Sequence, residues 1–131
     1  MTLRLPVRVN DKAGYIDEKG AIVIPLEYDG AGPFSEGVAE AWKRDENALY
    51  VIDTKGVMQG KAEKVVTYSS FSDGLLQFRV HDKEFGHLGK AGYLDRHASV
   101  AIPPIFDSAR AFQDGLACVE IDSKYGVIDQ Q

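Results

Sequence analysis

The sequence has almost no cysteine and no long apolar run. Its 131 residues include one cysteine, Cys118, so no disulfide can form within the chain, as is typical of proteins in reducing compartments. No stretch approaches the ~20 apolar residues of a membrane-spanning helix. The first residues also lack the apolar core of a secretory signal peptide. We therefore expect a cytoplasmic protein without a membrane-spanning segment.

The chain also has fewer basic than acidic residues. The chain has 15 Lys and Arg residues against 20 Asp and Glu residues, which gives a formal net charge of -5 at pH 7. Binding to a nucleic-acid backbone needs clustered basic residues, so we predict no nucleic-acid partner and no membrane partner. An acidic surface is compatible with a basic protein partner, although it is also a common means of staying in solution.

The motifs of common catalytic sites are absent as well. There is no glycine-rich phosphate loop and no nucleophile elbow. His81, Glu84 and His87 could ligate a divalent metal if their loop folded back, but their spacing matches no standard zinc site. We predict no catalytic site, no metal site and no cofactor, and hence a protein that is not an enzyme.

What the sequence does contain is an internal repeat. An aliphatic residue followed by Asp recurs four times, and a Phe-x-acid-Gly-aliphatic motif recurs three times. From Asp to the next motif glycine the separation is 20 or 21 residues, whereas from that glycine to the next Asp it varies from 14 to 21. A fixed half and a variable half indicate a structural repeat with a variable hairpin. The positions expected to be structural anchors are Gly14, Asp17, Gly20, Phe34, Gly37, Asp53, Gly56, Phe71, Gly74, Gly92, Asp95, Phe112, Gly115, Gly126 and Asp129.

Local patterns predict strands joined by tight turns. Asp17 to Gly20 and Asp53 to Gly56 suit reversals in which Asp bonds the backbone and Gly takes positive φ. The segments after each motif glycine alternate with a period of two, which predicts one buried and one solvated face. We predict an all-β fold: antiparallel hairpin or meander repeats stacked in a solenoid-like or barrel-like array, with about 11 short strands and little helix. The chain is expected to be one domain, 1–131, with a half-repeat at 1–17 and repeats at about 18–53, 54–95 and 96–129.

These motifs resemble the WG-containing repeat family of bacterial proteins. The best copy runs from Gly14-Tyr15-Ile16-Asp17 through Ile24-Pro25 to Phe34-Ser35-Glu36-Gly37, and a later copy repeats most of it. The tryptophan that names the family is replaced by other residues, namely Ala13, Ala48, Ala91 and Tyr125. The resemblance implies a scaffold or interaction module and supplies no catalytic residue.

A small set of residues forms the candidate partner-binding surface. Trp42 alternates with Ala39 and Ala41, so the pattern predicts that it shares a polar face with Glu40. An exposed tryptophan is typical of an interface hot spot, while the alternative is that Trp42 covers the next repeat. The long variable hairpin at 81–87 is a second natural recognition element. The candidates are Trp42, Arg44, Arg79, Phe85 and His87.

These observations favour a non-enzymatic β-repeat module for protein–protein interaction. Two alternatives remain: a small acidic inhibitor, such as an immunity protein that blocks a basic enzyme, and a module that binds a carbohydrate or another small ligand through Trp42. Unpaired edge strands near Leu5–Val9 and Val127–Asp129 would also permit a homodimer.

Overall fold

Strands and turns account for all the regular structure of the described chain. The computed structural model describes residues 3–67, 70–82 and 87–130, and within these ranges it contains fourteen strands and no helix. The strands are β1 (Leu5–Val9), β2 (Lys12–Ile16), β3 (Ile22–Tyr28), β4 (Gly30–Ala31), β5 (Val38–Lys43), β6 (Ala48–Asp53), β7 (Met58–Glu63), β8 (Val65–Val66), β9 (Leu76–Asp82), β10 (His87–Leu94), β11 (Val100–Phe106), β12 (Ser108–Ala109), β13 (Ala117–Ile121) and β14 (Lys124–Ile128). The all-β prediction is confirmed. Eleven of these strands have five residues or more, and the three two-residue strands β4, β8 and β12 were not predicted.

The strands form four small antiparallel sheets. Sheet 1 is β1-β2-β3, sheet 2 is β4-β5-β6-β7, sheet 3 is β8-β9-β10-β11 and sheet 4 is β12-β13-β14. One hydrophobic cluster joins sheets 1 and 2, a second joins sheets 2 and 3, and a third joins sheets 3 and 4. The sheets are therefore stacked in chain order. The pairing of the described strands does not close into a barrel, so of the two predicted arrangements the open stack is the one observed.

The middle sheets are covered on both faces. In β5, Ala39 and Ala41 belong to the cluster against sheet 1, while Val38 belongs to the cluster against sheet 3. The prediction of one solvated face is therefore wrong for β5 and β9, where Glu40 and Gln77 are buried. The alternation holds in sheet 4, which is covered on one side: Ala117 and Val119 are buried and Cys118 is exposed.

Three of the four aliphatic-Asp motifs end a strand with a side-chain-stabilised turn. The Asp17 carboxylate accepts hydrogen bonds from the amides of Lys19 and Ala21, at 2.9 and 3.0 Å. Asp53 and Asp95 accept the equivalent pairs of amides. These side-chain bonds give Asp17, Asp53 and Asp95 a local structural role.

The acids of the first two Phe-x-acid-Gly motifs bond to the next repeat instead of to their own turn. The Glu36 carboxylate accepts hydrogen bonds from the amides of Asp73 and Gly74, both at 2.8 Å. Asp73 in turn accepts one from the amide of Gly115, also at 2.8 Å. The acidic side chains therefore link successive turns into a ladder along one side of the stack.

The serines of the first two motifs extend this ladder. Ser35 donates its hydroxyl hydrogen to the carbonyl oxygen of Phe71 at 2.7 Å, and Ser72 donates to the carbonyl oxygen of Phe112. Each turn is thus fixed to its successor by the serine hydroxyl as well as by the carboxylate.

Strand pairing also corrects one position of the repeat. Trp42 lies five residues after Gly37, and its cross-strand partner is Leu49. The corresponding residue of sheet 3, Arg79, pairs with Ala91. Leu49, and not Ala48, therefore occupies the position of the family tryptophan in the second sheet. The indole of Trp42 belongs to the paired strand β5 and lies opposite this position.

Candidate functional site

A cavity between sheets 2 and 3 is the best candidate for a functional site. It has a volume of about 460 Å³ and is lined by Glu40 and Trp42 of β5, Leu49 of β6, both residues of β8 and the residues that follow β8. Pockets of about 300–1,000 Å³ with mostly apolar walls and a few polar groups are typical ligand sites. We refer to it as the Glu40–Trp42 pocket.

Glu40 is the ionisable residue among those that line this pocket. Its side chain is 4 % exposed, and its Oε2 has no hydrogen-bond partner among the described residues. Gly32 makes room for the carboxyl group, because a Cβ atom there would lie 2.0 Å from Glu40 Oε1. The backbone of Gly32 is held in place by two bonds: its amide donates to the carbonyl of Glu40 at 2.9 Å, and its carbonyl accepts from the Tyr15 hydroxyl at 2.6 Å.

The surroundings of Glu40 favour its neutral form. Burial raises the pKa of the Glu40 carboxyl to about 7, against a smaller opposing contribution from a hydrogen bond to its own backbone amide. Burial and then the nearby Glu40 charge raise the pKa of the Tyr15 hydroxyl above its ordinary value. A buried carboxylate without a partner is unfavourable, so a ligand that supplies a positive charge or hydrogen-bond donors would find an acceptor here.

Trp42 forms the apolar wall of the pocket. Its side chain is half-buried and packs against the cluster between sheets 2 and 3. Its indole lies against the backbone of Gly30, its cross-strand partner on β4. The prediction that Trp42 stands on a solvated face is therefore wrong, because sheet 3 covers that face. The alternative, in which it covers the next repeat, describes what is observed.

The other candidate residues lie in separate places. Arg44 is exposed in the β5–β6 hairpin, where its backbone amide donates to Asp29 Oδ2 at 2.8 Å. Arg79 lies on sheet 3 and donates from Nη1 to the carbonyl oxygen of Gly89 at 3.1 Å. Arg79 and Trp42 occupy equivalent positions of successive repeats, which places them on different sheets. Phe85 lies outside the described residues, as does the side chain of His87.

The metal hypothesis rests on a segment that is mostly outside the described residues. Glu84 belongs to that part, whereas His81 is described: its Nδ1 lies 3.2 Å from Asn47 Oδ1. Within residues 3–67, 70–82 and 87–130, His, Cys, Asp and Glu side chains form no group of three or more that could hold a metal ion. The same ranges contain no helix that is long and apolar enough to cross a membrane.

Sequence reasoning missed the role of Glu40. The period-two pattern placed it on a solvated face, and only the stacking of sheet 3 on sheet 2 buries it. A weak signal was present, since Glu40 is flanked by two alanines and preceded by the glycine-rich segment 30–32. Small residues on both sides allow a neighbouring backbone to approach closely.

Comparison with known families identifies the repeat. The model of the WG containing repeat matches residues 14–41 and 92–125. Each match begins on the second long strand of one sheet and ends in the next sheet, so the matched unit spans a junction between stacked sheets. The chain has no significant match among curated proteins and none among solved structures.

Proposed function

We propose that this chain, which belongs to the WG-containing repeat family, is a non-enzymatic protein-interaction module that receives a basic side chain of its partner in the Glu40–Trp42 pocket. One observation carries the proposal. Glu40 lines the pocket, and its Oε2 atom is buried with no hydrogen-bond partner among the described residues.

Lysine and arginine side chains match both parts of this pocket. Each has an apolar stem and a charged head, and the pocket combines the apolar walls of Trp42, Leu49 and Val65 with the Glu40 carboxyl group. A cation beside the indole also gains from the electrostatic attraction of the aromatic face. Pairing removes the cost of a buried unpartnered carboxylate, and binding would therefore favour the ionised form of Glu40.

The charge of the whole chain supports a basic partner. The formal net charge of -5 attracts positively charged surfaces and accelerates encounter with them. The inhibitor alternative is a narrower form of this proposal, in which the basic partner is an enzyme that loses its activity when bound.

A neutral sugar is the second candidate ligand. The pocket places an indole beside a hydrogen-bond acceptor, and sugars present both apolar ring faces and hydroxyl donors. A sugar differs from a basic side chain in carrying no charge, so its binding would depend on Trp42 and be insensitive to salt.

A peptide array distinguishes these ligands. Peptides with a central Lys or Arg are compared with the same peptides carrying norleucine or citrulline, and a sugar array is probed in parallel. The wild type is tested beside Glu40→Gln, with Glu27→Gln as a control because Glu27 is an exposed acid of β3. We expect basic peptides to bind wild type and Glu27→Gln and to lose at least about tenfold in affinity with Glu40→Gln.

Two outcomes would count against the basic-peptide proposal. Peptide binding that is unchanged in Glu40→Gln would show that the pocket does not supply the interaction. A response on the sugar array alone would replace the protein partner with the second candidate.

A further inference from the structure

The outer face of sheet 4 has residues at the same repeat positions as the face of sheet 2 that packs against sheet 3. Counted from the motif glycine, Leu116, Cys118 and Glu120 of sheet 4 match Val38, Glu40 and Trp42 of sheet 2. The paired strands agree, because Glu120 lies opposite Tyr125 as Trp42 lies opposite Leu49. We call the outer surface formed by Leu116, Cys118, Glu120, Tyr125 and Val127 the tail face.

The two equivalent faces differ in what covers them. In sheet 2, Val38, Leu49 and Val51 are at most 2 % exposed because sheet 3 packs on them. In sheet 4, Leu116, Tyr125 and Val127 are 53 %, 80 % and 61 % exposed. Exposure of contiguous large apolar side chains marks a contact surface.

The first sheet carries the complementary face. Leu5 pairs with Ile16 as Leu76 pairs with Leu94 in sheet 3, so Leu5 occupies the position of Leu76, which packs against sheet 2. Leu76 is 0 % exposed, whereas Leu5 is 44 % exposed. We call the surface formed by Leu5, Val7, Val9 and Ile16 the head face.

We propose that the tail face binds the head face of a second copy of this chain, so that copies stack head to tail. A second copy is the expected partner of the tail face, because the packing of sheet 3 on sheet 2 already joins these two kinds of face within one chain. A contact between different faces leaves one free face of each kind, so it extends into a row of copies unless the rotation between copies closes the row into a ring. Such stacking buries sheet faces, which distinguishes it from dimerisation through unpaired edge strands.

The position of Asp114 also favours the addition of a copy on the tail face. The acids at the equivalent positions, Glu36 and Asp73, each bond to backbone amides of the following turn. Asp114 belongs to the last turn of the stack and is exposed, so its carboxylate is placed to bond to a backbone that arrives on the tail face.

Two blocked variants test the stacking by sedimentation. The first, Tyr125→Arg, places a charge on the tail face, and the second, Leu5→Arg, places one on the head face. Both positions are exposed, so we expect both blocked variants to fold, which circular dichroism checks. Val57→Arg is the control, since Val57 is 55 % exposed but lies outside both faces. We expect wild type and control to form concentration-dependent rows and each blocked variant to be monomeric. An equal mixture of the blocked variants should give dimers that do not grow further.

Labelling of Cys118 supplies a second, local measurement. Cys118 is the single cysteine, and it is exposed on the tail face. Excess Tyr125→Arg that also carries Cys118→Ser offers an intact head face, and it should slow labelling of wild-type Cys118 at least about tenfold. The same excess of Leu5→Arg with Cys118→Ser can cover only head faces, so it should not slow the labelling.

The proposal is overturned by any of three results. These are a wild type that stays monomeric up to about 1 mM, blocked variants that associate as the wild type does, and a mixture of blocked variants that fails to dimerise. The Glu40–Trp42 pocket lies between sheets 2 and 3, so none of these results bears on the basic-peptide proposal.

Discussion

The indole of Trp42 lies so close to Gly30 that a Cβ atom at Gly30 would be 2.1 Å from the indole Cε2 and Cζ2 atoms. The two residues face each other across β4 and β5. An aromatic ring over a cross-strand glycine shields the exposed backbone and fixes the orientation of the ring. This contact therefore positions the wall of the Glu40–Trp42 pocket.

Replacing Gly30 should disturb the ring and the fold together. We expect Gly30→Ala to lower the free energy of unfolding by about 1–3 kcal/mol, because the new methyl group forces the indole out of its place. The emission maximum of Trp42 should shift to longer wavelength. Urea unfolding followed by fluorescence measures both quantities.

Gly126→Ala is the matched control for this substitution. Gly126 also lies within a strand, but a Cβ atom there meets nothing within 4 Å. Its effect on the free energy of unfolding should stay within about 0.5 kcal/mol. Equal effects of the two alanines would contradict the inferred contact.

The hydrogen bonds between successive turns should contribute to the free energy of unfolding, so an acid that makes more of them should contribute more. We expect Glu36→Ala to lower the free energy of unfolding by about 1 kcal/mol, because the amides of Asp73 and Gly74 lose a charged acceptor. Asp114→Ala should have little effect in the monomer. Both residues have a positive φ, 58° and 52°, so the backbone strain of alanine is common to the two variants. Chemical denaturation of a dilute sample compares them, and a larger loss for Asp114→Ala would contradict the ladder.

Glu40 should make stability depend on pH in an unusual direction. Its pKa is about 7 in the folded chain against 4.5 ordinarily, so the folded state binds the proton more tightly than the unfolded state. Stability should therefore fall as pH rises from about 4.5 to 7, by up to about 3 kcal/mol for this group, and be level above that range.

Glu40→Gln isolates this contribution. Glutamine is the natural residue at the equivalent position of the next repeat, where Gln77 is buried. Unfolding free energies measured at pH 5 and pH 8 should differ less in Glu40→Gln than in the wild type. An identical difference in both proteins would show that Glu40 does not titrate in this range.

The repeat anchors were readable from sequence because their roles are mostly local. Asp17 bonds amides only two and four residues away, and such short-range contacts leave a fixed spacing in the chain. The third turn lacks glycine, and there Ala98 takes a φ of 61° where Gly20 takes 85°. The unfavourable residue shows that a turn can be kept when the surrounding packing holds it, since Ala98 is buried against sheet 2.

The pocket could not be derived in the same way. Its carboxyl group and its indole lie on a face that alternation marks as solvated, and the covering sheet begins more than twenty residues later in the chain. Burial of that face depends on how successive sheets stack, which no local pattern reports. The two-residue strands β4 and β8 escaped prediction for a related reason, since their pairing is set by the neighbouring long strand.

Titrating the fluorescence of Trp42 tests the proposed pocket most directly. Trp42 is the single tryptophan of the chain, so its emission reports on this site without interference. The probes are the acetylated amides of arginine and lysine, with those of citrulline and norleucine as neutral counterparts. We predict that the two cations change the Trp42 fluorescence saturably, in the millimolar range expected for so small a ligand, and that the neutral probes change it less. This difference between charged and neutral probes should be lost in Glu40→Gln and kept in Glu27→Gln. Equal responses to charged and neutral probes, or a cation response that survives Glu40→Gln, would contradict binding of a basic side chain at Glu40.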